Sequence, residues 1–146
     1  MYTKHSGVVI LGAVLLVLPT VLMLRYTVHN TYVVFFEALT QCIKNGGELV
    51  SIESAYQQNQ IWNAIKKAGP TTESWWTSGT DLGMEGSWIW LARNMRFGKY
   101  HNFYSGEPNN AHAAEHCLAI AGGTLSGRWI DVNCNITLFY VCQYVN

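Results

Sequence analysis

The chain has 146 residues, of which 49% are hydrophobic, and a formal net charge of +0. That length holds a single domain. The charge balance, with no run of Lys or Arg, excludes the basic footprint of a nucleic-acid binder.

Lys4 and His5 precede an apolar run from Gly7 to Leu24, and Arg25 closes it. Those 18 residues reach the lower edge of a bilayer span. They also exceed the usual hydrophobic region of a signal peptide. No Ala-x-Ala cleavage site follows, and Pro19 suits either a helix end or a membrane helix. Residues 1–24 therefore read as a signal peptide or an uncleaved signal anchor, the latter transmembrane. A buried helix of the folded domain is the third reading. Both leading readings place residues 25–146 outside the cell, secreted or as the outer part of a single-pass membrane protein.

Residues 26–34 mix Tyr, Val and Thr and predict a strand. Phe35, Leu39, Cys42 and Ile43 then form a helical stripe, stopped by Asn45-Gly46-Gly47. Leu49–Ile52 is a short strand. Ser54 caps a second helix with Gln57 as its capping-box partner. Ile61, Ile65 and Ala68 mark its inner face, and Gly69-Pro70 ends it. From Ser74 onward no helical period survives. Leu118–Ile120, Arg128–Ile130 and Phe139–Val141 are short strand candidates, and 91–116 is a long loop of the functional kind.

That loop carries Glu107-Pro108-Asn109-Asn110, followed by Glu115, Cys117, Trp129, Asp131 and Cys134. This is the densest gathering of hard oxygen donors in the chain, and calcium takes six to eight such oxygens. Four cysteines downstream of an apolar leader suggest two disulfides in an oxidising compartment, and sequence alone permits three pairings. His112-Ala113-Ala114-Glu115-His116 also spells an inverted zincin motif. It needs a helix that this stretch does not predict, so surface histidines are preferred. Nothing else recommends an enzyme. Asn135-Ile136-Thr137 is a sequon, which makes a glycoprotein possible where Asn135 is exposed.

FFEALTQC, GGELVSIES, WTSGTDLGMEGSWIW, NFYSGEPNN, Glu115-His116-Cys117 and GRWIDVNC, ending in Cys142, stand in order over 26–144. In that order and spacing the chain resembles a C-type lectin-like domain of the short form, with the mannose-type Glu-Pro-Asn motif. The resemblance implies an α+β fold of two helices and two small antiparallel sheets with a long binding loop, the terminal strands paired. It also implies disulfides Cys42–Cys142 and Cys117–Cys134.

For the site, the resemblance implies a primary calcium ion held by Glu107, Asn109, Glu115 and Asp131, with Pro108 in the cis position. The first three would also hold the sugar. The fifth ligand of the family's Trp-Asn-Asp pattern is replaced by Ile130, which offers no oxygen. An accessory calcium would use Asp81, Glu85 and Asn110, but the expected acid at 116 is His116, a poor ligand for so hard an ion. Glycans or glycoproteins are the implied partners, with mannose-type ligands preferred over galactose-type and weak affinity at one site. A lectin-like domain that binds a protein ligand without calcium is the alternative, and Ile130 and His116 are its grounds.

Overall fold

The computed structural model describes residues 23–146. Strand β1 (Leu24–Val33) leads into helix α1 (Phe35–Lys44), strand β2 (Glu48–Leu49) and helix α2 (Ala55–Ala68). Strands β3 (Ser74–Thr80), β4 (Ile89–Trp90), β5 (Met95–Arg96), β6 (Cys117–Ala121), β7 (Trp129–Val132) and β8 (Leu138–Val145) complete the fold. Leu24 belongs to β1, so the domain takes up the last residue assigned to the leader. The rest of the apolar run, 7–22, lies outside the described residues apart from Met23 beside it. The transmembrane, signal-anchored reading is corrected: among the described residues no helix is long and apolar enough to cross a membrane.

The two-sheet expectation is also corrected. All eight strands join in one sheet, running β1-β8-β3-β4-β5, with β2 on β8, β6 on β3 and β7 on β6. Nor is it wholly antiparallel, because Trp75 and Trp76 pair in parallel with Phe139 and Tyr140. The cause lies in β3, buried along nearly its whole length. Backbone groups without access to water need partners on both edges. Trp75 has Ile120 on one side and Phe139 on the other, and Thr80 has Cys117 and Ile89. A strand shared in this way fuses what would otherwise be two sheets.

Side chains alternate across the sheet, and the alternation sorts the core into two clusters. Trp75, Leu118, Ile120, Phe139 and Val141 join Ile61 and Ile65 of α2. Their neighbours Trp76, Cys117, Ala119, Tyr140 and Cys142 join Phe35, Ala38 and Cys42 of α1. Each helix therefore covers one face. The predicted stripes need adjusting by one position each. Ala38 is buried where Ile43 was expected, and Ile43 is 61% exposed. In α2, Ala68 is exposed and Gln58 takes the inner place. The α2 cap is present: Ser54 Oγ accepts from Gln57 N at 3.2 Å, while Gln57 Oε1 accepts from Glu53 N at 2.7 Å. The stretch 91–116 is more regular than expected. It holds β5, a single 3-10 turn at Leu91–Arg93, and a tight turn over Ala111–Ala113 whose backbone is left-handed at His112 and Ala113.

Disulfides join Cys42 to Cys142, 100 residues apart, and Cys117 to Cys134, 17 apart. The first ties α1 to β8 and closes most of the domain into one loop. Constraining so long a loop in the unfolded chain is the larger stabilisation. Replacing Cys42 and Cys142 together by alanine is expected to lower unfolding free energy by roughly 2–5 kcal/mol in urea titration. A loss of only a few tenths of a kcal/mol would show that packing alone holds α1 against β8.

Candidate functional site

Strand β7 positions the long loop. The Trp129 indole is fully buried and sits edge-on to Trp90, Tyr100 and Phe103, each at a ring-centre distance of 5.6 Å. Edge-to-face contacts of this kind add to the burial of the rings themselves. Its Nε1–H donates to Gln58 Oε1 at 2.8 Å, and Gln58 Nε2 donates to the Gly127 carbonyl at 2.9 Å. A buried amide is thus satisfied on both ends, which explains Gln58 on the inner face of α2. The Trp129 backbone takes the loop directly. Its N–H donates to Asn102 O, and its carbonyl accepts from Tyr104 N, both at 2.9 Å.

Two residues on, the buried Asp131 carboxylate accepts from two successive loop amides. Asn109 N donates to Oδ1 at 3.0 Å and Asn110 N to Oδ2 at 2.7 Å. The Glu107–Pro108 peptide bond is cis. Asn109 Nδ2 donates to Glu107 Oε1 at 2.7 Å. Asn110 adopts a left-handed backbone, φ 46°, which asparagine tolerates better than most residues. Its Oδ1 accepts from Glu115 N at 3.2 Å, and Glu115 Oε2 accepts from Ala111 N at 3.1 Å. Glu107, Asn109, Glu115 and Asp131 are therefore drawn together by the loop's own hydrogen bonds.

Crowding shows in the electrostatics. Burial, then a hydrogen bond to Asp131 and the charges of Asp131 and Glu115, push the Glu107 carboxyl up to about 7. Carboxylates held this close repel one another unless a proton or a cation intervenes. All the donors are hard oxygens, and each carboxylate oxygen that accepts one N–H keeps a further lone pair. The set fits calcium in chemistry. Ile130 does not belong to it: it is half-buried and packs against the α1-side cluster with Val132 and Cys134. Alternation along β7 turns it to the face opposite Asp131.

A second gathering lies where β3 ends and β6 begins. The registry of Thr80 with Cys117 brings Asp81 beside His116. His116 Nδ1 is 3.1 Å from Asp81 Oδ1 and 3.2 Å from Glu85 Oε2. Gly86 N donates to the other oxygen, Asp81 Oδ2, at 2.8 Å. Among the described residues, these are the three titratable side chains whose ligand atoms all fall within 4.8 Å of one another. Asn110, expected with them, has its side-chain oxygen on Glu115 N. The stretch 112–116 is no helix, since His112 and Ala113 both have positive φ, so the inverted zincin geometry is absent there. Asn135 is exposed, as a glycosylated sequon requires.

Sequence reasoning did not see Gln58, or Asp131 as the loop's anchor, or His116 as the centre of a cluster. A buried glutamine carries no periodic signal. Asp81 and His116 meet through sheet register across 35 residues, and no local spacing encodes that.

Residues 32–144 match the Lectin C-type domain family. The chain is 30% identical over 119 residues to C-type lectin domain family 4 member M of Nomascus concolor, an alignment that covers 81% of this chain and 28% of that relative. It spans less than a third of the length of the curated relatives it matches. Among solved structures it is similar to the mouse scavenger receptor C-type lectin carbohydrate-recognition domain. The TM-score is 0.74 and the identity 26%, covering 84% of this chain and 91% of that one. It is also similar to the cow CD23 carbohydrate-recognition domain, with TM-score 0.73, 29% identity, and coverage of 84% and 88%. This fold is characteristic of non-catalytic carbohydrate-recognition domains. The chain belongs to the Lectin C-type domain family.

Proposed function

We propose that the folded domain, from Leu24 of β1 onward and following a secretory leader, acts outside the cell as a calcium-assisted carbohydrate-binding module with mannose-type preference. The observation that carries this reading is the meeting of Glu107, Asn109 and Glu115, on one loop, with Asp131 of the strand that anchors it, β7. Calcium, when bound, would offset the repulsion of the three carboxylates and offer open coordination positions to sugar hydroxyl oxygens. Glu107 would accept a hydrogen bond from one hydroxyl. The Asn109 amide would donate to its neighbour. An acid–amide order of this kind reads the orientation of a hydroxyl pair, since exchanging the two groups reverses donor and acceptor. Glu115 would accept on the far side. No donor faces it from position 130, because Ile130 packs into the domain, and this supports weak binding at a single site. Several copies on one surface would supply avidity. The cow CD23 domain was solved in the presence of a GlcNAc2Man3 oligosaccharide, which accords with the sugar class proposed.

Competition on a mannose-bearing surface tests the reading. Free mannose and EDTA are both expected to release the domain, and galactose is expected to do so far less. Galactose-selective release would reject the sugar class. Chelator-insensitive retention would reject the metal, and no retention on any glycan surface would favour a protein ligand.

The raised Glu107 value adds a pH dependence. An acid whose value rises from 4.5 in the unfolded chain to about 7 favours the protonated folded form. That contribution is present at pH 4.5 and below, and is lost as pH climbs through about 7. In chelator, Glu107→Gln is expected to melt level with the parent in acid and above it in mild alkali. With calcium, parent affinity is expected to strengthen over the same interval, as the proton and the ion compete for Glu107. A melting difference that ignores pH would remove Glu107 from the cluster.

A further inference from the structure

We propose that Asp81, Glu85 and His116 form a binding site for a borderline divalent metal, zinc above all, and not for calcium. Calcium takes six to eight oxygen ligands and gains little from imidazole, whereas zinc takes nitrogen and carboxylate oxygen together. The donor set here is one imidazole nitrogen and two carboxylates. Their geometry also fits. With bonds of about 2.0–2.1 Å, ligand atoms on a tetrahedral zinc stand roughly 3.3 Å apart. The two distances from His116 Nδ1, 3.1 and 3.2 Å, match two such edges. The third edge spans no more than 4.8 Å, and Glu85, an exposed side chain, closes it by a change of rotamer.

A simple hydrogen-bonded ion pair accounts for this cluster poorly. Two carboxylates converge on one ring nitrogen, which carries at most one proton and can serve only one of them well. The Asp81 side chain is 2% exposed, so its charge is not left to water. Gly86 N–H holds its outer oxygen and leaves Oδ1 aimed at the imidazole. Such an outer contact fixes a ligating carboxylate in place. The loop site proposed to hold sugar uses none of these three residues. Asp81 and Glu85 are the acids expected of an accessory calcium site, and His116 in place of a further acid is what turns the donor set from calcium towards zinc.

The surroundings supply a scaffold and an entrance. Both backbone groups flanking the cluster are locked: His116 O accepts from Asp81 N at 3.2 Å and from Thr80 Oγ1 at 2.6 Å. Asp81 lines a cavity of about 730 Å³ that also meets Met84, Trp88, Phe97 and His101. Glu85 and His116 do not line it; their side chains are 56% and 23% exposed, so an ion reaches the cluster from solvent on that side and water can take the fourth coordination position. The metal would clamp the turn over 81–86 to the start of β6, immediately before Cys117.

The test uses the full chain, oxidised and stripped of metal, titrated with zinc against a chromophoric competitor in millimolar calcium. One zinc per chain is expected, with cobalt giving the visible absorption of a tetrahedral site. Because losing a mere supporting partner costs roughly 10–100-fold in metal affinity, His116→Ala and Glu85→Gln are each expected to weaken zinc by at least about tenfold. His112→Ala is expected to leave it unchanged. His116→Asp keeps a ligand of similar reach in the all-oxygen chemistry of calcium, and is expected to lose zinc. It also serves as the folding control, since its melting temperature should rise with calcium. Absence of saturable zinc uptake by the parent would overturn the proposal. Zinc affinity that survives His116→Ala, or falls with His112→Ala, would assign the ion elsewhere and overturn it equally. None of these readouts involves a sugar, so the outcome is independent of the carbohydrate-binding reading.

Discussion

Everything about the loop depends on the short strand β7. Its first residue fixes the loop through the backbone, with Asn102 on one side and Tyr104 on the other, and locks its own ring into a cage of aromatics. Its third residue, Asp131, then catches the amides of Asn109 and Asn110. Four hydrogen bonds from one strand thus hold a segment that has little regular structure of its own. Buried polar groups of this sort are costly when unpaired, so the arrangement tolerates few alternatives. Gln58 extends the constraint to α2 by meeting the Trp129 indole and the Gly127 carbonyl at once. Gly127 sits at φ +86° with Trp62 of the same helix close above it, so even the turn before β7 is fitted to α2.

What was legible in the sequence follows from what is local. Both helices were readable because their apolar spacing and stop signals lie within a few residues of each other. The oxygen-rich stretch from Glu107 to Asp131 was readable for the same reason. Pairings between distant strands were not. The single sheet arises from β3 bonding along both edges, and one of those partners, β8, lies at the far end of the chain. Exact helix faces were also out of reach. Ala38 for Ile43 and Gln58 for Ala68 are choices made by the facing surface, which periodicity does not report. Ile130 shows a different kind of gap. Its identity told that a ligand was missing, but only the strand's alternation showed that its side chain serves packing instead.

The two polar gatherings differ in a way that bears on selectivity. Around Glu107 the ligands are all oxygen, and their positions are set by a loop held at its amides. Around His116 one nitrogen enters, and the positions are set by sheet registry. Hard and borderline cations would sort themselves between such sites by ligand type before geometry is considered. A small domain with two chemically distinct sites need not use one ion for both.

The pairing of β1 with β8 runs to the very ends of the described chain, where Leu24 faces Val145 and Asn146 N donates to Met23 O at 3.0 Å. The polypeptide therefore enters and leaves through a single doorway. Any neighbouring segment, on either side, departs from the same corner, and pulling on one end against the other would unzip a ladder of backbone bonds one rung at a time. The Cys42–Cys142 bridge, anchored in β8 three residues short of that doorway's last rung at Val145, would then carry the load from one arm to the other, and the chain between the two cysteines would be shielded from it.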